Sequence, residues 1–565
     1  MNKRGQFIVL LAMALTLWVG RYAQSAQFGL YEDDYTRTPK ALVMSGQELV
    51  QQAASSFRTL SDHGKPLHSP IIYSLSFLGG KLNGLQGIYW LGYAICLLNA
   101  WLFYCLMLRL GSAPFALIGG LTYCLFSADT TQAFLTHALG LQPSMTFLLL
   151  AFHSYLGGRR WLAYLLGGLI LLNYETPFPL LAAAPLLKEF QPDRESSRKW
   201  KEWVGHLLIL GGMALAVALL RRLAGESRIS QLDVETILRV PLTQMGLGVF
   251  TSLKLFLYTN PKMAFINLDL ETVKLSTAVM AGVFFLILWW GSKEKSKTNS
   301  QEGELKSEDL TFKKEVQRIL IGIVLLALAY PLSFTVSASA SDGRDSRVHL
   351  AAVVGVSWLV AGGASLLFRL IRAYGQKYGG FLRAAVTVGL AGFFALQVGF
   401  GALIQRDYVN SWQYQRLFWR QLLPLISDAD DGDIILVEPS VMRSTGQIGV
   451  ITWNTPFVLE KIYHFPEDWD SAPKVYRLEP GWENAILSDE GLFQINQHTS
   501  FIPDSLYVDV ASTDVIFIEN QAAGLVRHTQ PLMINGVEYP VKQPEKDNTN
   551  LFIPAELYDL MILTP

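Results

Sequence analysis

The chain has 565 residues, of which 51% are hydrophobic and only 16% charged, with a formal net charge of −1 at pH 7. Soluble domains carry about 25% charged residues, so this composition points to a membrane protein, and its near-neutrality gives no footing to a nucleic-acid partner. The three cysteines, Cys96, Cys105 and Cys124, all fall inside apolar runs, so no disulfide framework or thiolate metal site is implied.

Met1 to Arg4 form a basic start before the apolar run from Phe7 to Val19. The basic end stays in the cytoplasm and residues 24–86 lie outside. A signal peptide is the competing reading, because Ala23 to Ser25 resembles a small-residue cleavage site. Leu49, Ala53, Phe57 and Leu60 recur at helical spacing in that outer loop and predict an amphipathic helix, lying on the membrane or packed on the protein's own loops. Further apolar spans are expected near 87–108, 113–128, 140–157, 161–173, 177–187, 204–220, 275–290, 317–334, 348–370 and 382–404, about eleven crossings with the first. The 161–187 pair could equally be one kinked helix. Basic clusters at Arg109, Arg159-Arg160, 188–203, 292–318 and 369–383 all fall on the cytoplasmic side of this topology. The stretch 242–258 is apolar but holds Lys254, which argues for an interfacial or re-entrant segment. After Ile404 the pattern shifts to short β-branched runs such as 433–439, 505–510 and 514–520, with turn signals like Asn535-Gly536. The predicted fold is therefore mainly α: a helical membrane bundle over 1–404, followed by an extracytoplasmic α/β or β-rich domain over 405–565.

Three consecutive acids, Glu32, Asp33 and Asp34, follow the first span, flanked by Phe28, Tyr31 and Tyr35, aromatics suited to a membrane interface. An acidic run in a loop is ordinarily a solvated surface; its place just beyond the first crossing gives it weight. Glu175, in NYETPFP (173–179), sits at the outer edge, where a carboxylate is either a functional group or a helix cap. His137 and Asp129 flank another short outer loop, where structural roles are favoured. Arg344, Arg347 and His349 stand in the outer loop 335–350 before the tenth span. Arg can grip a phosphate bidentately, or these arginines pair with Asp342 and Asp345.

Acids after the first helix, a surface-helix pattern, the GKPLHSPIIYSL approach (64–75), the polar break at 173–179 and an outer soluble tail together resemble the GT-C glycosyltransferases. The resemblance covers residues 1–404 as architecture and a few points as residues. It implies an inverting transfer of sugar from a polyprenyl-phosphate donor to a lipid, glycan or protein acceptor. By motif position Asp34 is the first choice as general base and Asp33 the second, with Glu32, Glu175 and His349 in substrate contact. Arg347 and Arg344 are expected on the donor phosphate. A divalent cation, Mg or Mn, on the loop acids is a further implication, although no ligand spacing demands one. The alternatives are a flippase of lipid-linked saccharides, which would place charged or broken-helix sites near mid-membrane, and a non-catalytic envelope assembly protein.

Overall fold

Long runs of Leu, Ala, Phe and Gly with isolated polar residues favour helix, and the chain is mainly helical up to Leu425. The computed structural model describes all residues except 1–2, 61–63, 191–199, 226–233, 268, 270–271, 275–276, 280, 283–306, 335, 375–377, 439–444, 451, 453, 479–483, 488–492, 497–506, 522, 535–536, 545–551 and 564–565. Among the described residues, seven helices are long and apolar enough to cross a bilayer: Arg4–Gln27, His68–Leu110, Leu135–Leu156, Trp200–Leu223, Arg239–Ile266, Ala352–Ala373 and Gly379–Leu425. Three apolar helices are shorter, Ala113–Leu125, Arg160–Asn173 and Phe178–Lys188.

The expected count of about eleven crossings thus exceeds the seven full-length helices found. Six of the seven match expected spans, and the seventh, Arg239–Ile266, is not among them. The expected spans at 113–128, 161–173 and 177–187 form the shorter helices, that at 317–334 falls largely on helix Ser307–Ala327, and most of that at 275–290 lies outside the described residues. The chain breaks at Tyr174–Pro177 between two helices, so 161–187 is a tight pair, not one kinked helix. Helix Ala113–Leu125 is buried from Phe115 to Leu125 on every face, which places it at the centre of the bundle.

Residues 24–86 are more than a loop. Helices Asp34–Val43 and Gly46–Arg58 occupy its first half, the latter capped reciprocally by Ser45 and Glu48. Val50 and Phe57 of the second helix remain exposed, while Leu49 packs on Ala41, Met44 and Tyr73. Helix His68–Leu110 then begins well before the expected second span and folds back on itself at Asn83–Gly84. Gly84 supplies the positive φ (54°) of that bend, and Gly79 lets the backbone of Ile88 approach, so the two arms lie against each other.

The basic positions collect at the end of the bundle away from the acidic turn. Arg109 donates to the terminal carbonyls of His153 and Leu156, Arg318 to Leu110, and Arg160 pairs with Glu202 at 2.7 Å. Arg318 and Arg369 both contact Glu315, whose side chain is 1% exposed. The 239–266 helix, expected to be interfacial or re-entrant because of Lys254, is at 28 residues, about 42 Å, long and apolar enough to cross a bilayer. Gln244 hydrogen-bonds Val336 and Ala338, and Asn260 bonds Ser127.

Helix Gly379–Leu425 passes unbroken through the expected domain boundary at 404 and carries the C-terminal region on its far end. There a seven-stranded mixed sheet holds β1 (Ile434–Val437) between two parallel neighbours, β2 (Lys474–Leu478) and β6 (Val515–Gln521). Strands β3 (Asn484–Leu487), β4 (Phe493–Asn496), β5 (Tyr507–Val510) and β7 (Gly524–Arg527) extend it on both sides. Alternation decides the packing: Ile435, Val437, Ile516 and Ile518 face Trp412, Phe418 and Trp419, while Leu436, Tyr476 and Phe517 fill the other face. A buried ion pair between Arg527 and Asp428 fixes the sheet to the helix end. The Asn535-Gly536 turn lies outside the described residues.

Candidate functional site

The acidic run forms a turn because three successive backbone N–H groups close onto carbonyls three residues back. Asp34 N donates to Tyr31 O (2.9 Å), Tyr35 N to Glu32 O (3.1 Å) and Thr36 N to Asp33 O (3.2 Å). Glu32 sits in the left-handed region at φ 42°, a conformation that costs a residue with a Cβ about 1–2 kcal/mol. Long-range hydrogen bonds hold the turn in place. The hydroxyl of Tyr31 donates to Tyr408 O (2.9 Å), that of Tyr89 to Gly29 O (2.7 Å), and that of Tyr35 to Gln415 Oε1 (2.7 Å). Phe28, Tyr31 and Tyr35, expected to sit at the bilayer interface, are instead buried in the protein. The reason is the extension of helix Gly379–Leu425, which offers them aromatic faces and acceptors; the Tyr31 and Tyr408 rings are 5.0 Å apart.

The three acids part company. Asp34 has no solvent exposure. Its Oδ2 accepts from the backbone N–H of Tyr31 (3.2 Å) and Leu135 (3.1 Å), and its Oδ1 from Thr136 N (2.8 Å). It thereby caps the short helix Leu135–Gly140 from a hundred residues away. Burial pushes its carboxyl up to about 7, against the pull of these backbone donors. Asp33 and Glu32 keep side-chain exposures of 17% and 15% and share one cation: Arg344 Nη2 lies 3.0 Å from Asp33 Oδ2, and Arg344 Nε 3.6 Å from Glu32 Oε2. Burial raises Glu32 to about 7, and Arg344 opposes that shift.

Arg344 and Arg347 occupy a 3-10 turn, Arg344–His349, before helix Ala352–Tyr374. The turn is pinned by Ser346, which bonds Thr130 Oγ1 (2.9 Å), and by Gln447, whose Oε1 accepts from Thr130 Oγ1 (2.7 Å) and Gly343 N (3.1 Å). Three distant segments, 126–134, 343–349 and 447, so converge beside the acidic turn. Arg347 faces His137, its Nη1 3.4 Å from Nε2; among the described residues no carboxylate is in ion-pair contact with it. Burial lowers its pKa, with Arg344 adding to the effect. His349 is fully buried with both nitrogens engaged, on Tyr330 Oη (2.7 Å) and Ala340 O (2.8 Å), and burial lowers it to about 4. It braces the turn, and neither nitrogen is left for a ligand.

Glu175 lies outside this cluster. Its carboxylate meets Lys65 Nζ and Arg221 Nη2, each at 3.1 Å, tying the GKPL segment to the helix Trp200–Leu223. Burial opposes its ionisation, but the two cations overcome it and hold its pKa below the usual range. Among the described residues no three metal-ligating side chains come together, and Asp33 with Glu32 is set against a guanidinium.

Sequence reasoning missed the partners supplied by residues 405–450: Tyr408, Gln415 and Gln447. It also missed Arg21, which donates to the carbonyls of Cys124 and Phe126 and lines, with Asp129, a narrow crevice. The only signal for Arg21 was a cation at the end of an apolar run. Comparison with protein-family models, with curated proteins and with solved structures finds no match for this chain.

Proposed function

We propose that the chain is an inverting glycosyltransferase that takes its sugar from a polyprenyl-phosphate donor at the acidic-turn end of a membrane bundle. One observation carries the reading: two partly exposed carboxylates, Asp33 and Glu32, stand beside Arg344 and Arg347 at that end. Transfer needs a carboxylate to take a proton and cations where a phosphate leaves, and both are within one cluster. The basic belt at the opposite end supports an orientation with this cluster on the outer face.

Asp33, not Asp34, is the base in this reading. Both oxygens of Asp34 are already spent on backbone donors, whereas Asp33 is partly exposed and, among the described residues, its carboxylate meets Arg344. Asp33 accepts the proton of the acceptor hydroxyl or amine as that atom bonds to the anomeric carbon. The bond from that carbon to the phosphate oxygen breaks with its electron pair leaving on polyprenyl phosphate, and configuration inverts. Arg347 meets the developing phosphate charge. Arg344 exchanges its carboxylates for phosphate and so releases Asp33 only when donor is bound. Glu32 sets the position of Arg344, and a divalent cation is not required by this scheme.

Membranes carrying the wild type are incubated with labelled polyprenyl-phosphate sugars and a mixed pool of lipid, glycan and protein acceptors. Transfer by the wild type, lost in Asp33→Asn, is expected. No transfer from any such donor, or full activity in Asp33→Asn, overturns the assignment.

A further inference from the structure

The C-terminal region has a cavity of its own, separate from the acidic turn. It holds about 1100 Å³ of empty space, mouth included, between the end of helix Gly379–Leu425 and the C-terminal segment. Tyr463, Phe465, Phe552 and Tyr558 form its aromatic wall, with Arg420 and Ser427 as polar groups opposite. The rings pack on one another, Phe465 on Phe552 at 4.9 Å and Tyr463 on Tyr558 at 5.5 Å, and Trp469 stacks behind Phe465 at 5.6 Å. None of these five aromatics is fully buried. The wall is therefore partly accessible, its rings packed on one another and, for Tyr463, Phe465 and Tyr558, on the core beneath.

Two further features narrow the occupant. Arg420 lies 16 residues beyond Ile404, where the apolar run of the helix ends, so the cavity is about 24 Å past the hydrocarbon region. An acyl chain does not reach such a site. The C-terminal segment links the cavity to the acidic turn. Ile562 lines it, and the adjacent Met561 contacts the Tyr35 hydroxyl, one residue from Asp34. A partly exposed aromatic wall suits the C–H faces of a pyranose ring, and the hydroxyls of Tyr463, Tyr558 and Ser427 suit its hydroxyl rim.

We propose that this cavity is a saccharide-binding subsite that holds a sugar unit of the acceptor distal to the one being modified. The binding claim stands on the cavity alone; its role with the acceptor rests on the transferase reading above. It makes the acceptor a glycan or glycolipid in preference to a bare lipid or protein.

The full chain in lipid nanodiscs, free of glycoside detergent, is titrated with cellotriose, maltotriose and chitotriose, and tryptophan emission is followed. A saturable change from at least one trisaccharide is expected, absent in Trp469→Phe, which removes the reporter. Binding weakened about tenfold is expected in Phe552→Ala and Phe465→Ala, with Tyr558→Phe as the milder variant that keeps the ring. Asp33→Asn should bind like the wild type. In the transfer assay Phe552→Ala should raise the KM for glycan acceptor and leave the KM for donor unchanged. No response to any of the three, or binding unaffected in both alanine variants, overturns the proposal even if transfer is intact. Binding without any sugar transfer would instead remove the transferase reading and leave the saccharide site standing. Uptake of an apolar probe that trisaccharides do not displace would count against the proposal too.

Discussion

Replacing Asp34 and Asp33 one at a time separates architecture from chemistry within a single turn. Asp34→Ala strips the acceptor from three buried backbone N–H groups, those of Tyr31, Leu135 and Thr136. An unsatisfied buried donor costs about 1–3 kcal/mol, and partial relaxation makes the three together cost on the order of 3–5 kcal/mol. Asp33→Ala removes a partly exposed ion pair with Arg344, worth about 1 kcal/mol or less. Thermal unfolding of both variants in nanodiscs at pH 7 should therefore show a large drop for Asp34→Ala and little change for Asp33→Ala. Sugar transfer should be lost in Asp33→Ala, which still folds. An Asp34→Ala protein as stable as the wild type would refute the capping role. A drop of equal size in both would refute the division between them.

The raised pKa values of Asp34 and Glu32, each about 7, make stability depend on pH. Their protonated forms are favoured in the folded chain, so this contribution is full below about pH 4 and is lost as pH rises through about 7. Melting temperatures from pH 5 to pH 8 should fall, less steeply in Asp34→Asn. Glu175→Gln removes the carboxylate that meets both Lys65 and Arg221 and should cost on the order of 1–3 kcal/mol of stability, with transfer per folded molecule unchanged. At Gly401 an added Cβ meets the carbonyl oxygen of Gly20, so Gly401→Ala should separate the first helix from the long one and lower the melting temperature, about 1–3 kcal/mol by overpacking. Arg347→Ala should raise the KM for donor and leave the acceptor KM unaltered.

Much of the architecture is legible locally. Hydropathy finds most of the long helices, and the apolar spacing of Leu49, Ala53 and Phe57 marks Gly46–Arg58. The expected spans at 113–128 and 161–173 form shorter helices with different surroundings: Ala113–Leu125 is buried inside the bundle, whereas Trp161 and Leu165 of Arg160–Asn173 are exposed, and apolar composition alone does not separate the two. The site is less legible because its meaning lies in distant partners. By motif position Asp34 reads as the first choice for general base, and only its bonds to Leu135 and Thr136 reveal a cap. His349 and Glu175 looked like free polar groups at an outer edge; Tyr330 and Ala340 in one case, Lys65 and Arg221 in the other, already engage them. No sequence pattern announces that residues 405–425 continue a helix and supply Tyr408 and Gln415 to the acidic turn.

The central claim is that Asp33 removes the acceptor's proton while Arg347 holds the departing phosphate. Initial rates of transfer from labelled polyprenyl-phosphate sugar, compared among the wild type, Asp33→Asn and Arg347→Ala at equal amounts of folded protein, test it most directly. The account predicts a loss of kcat in Asp33→Asn with the donor KM near the wild-type value, and a raised donor KM in Arg347→Ala. Full activity in Asp33→Asn, or no transfer by the wild type from any such donor, would contradict it.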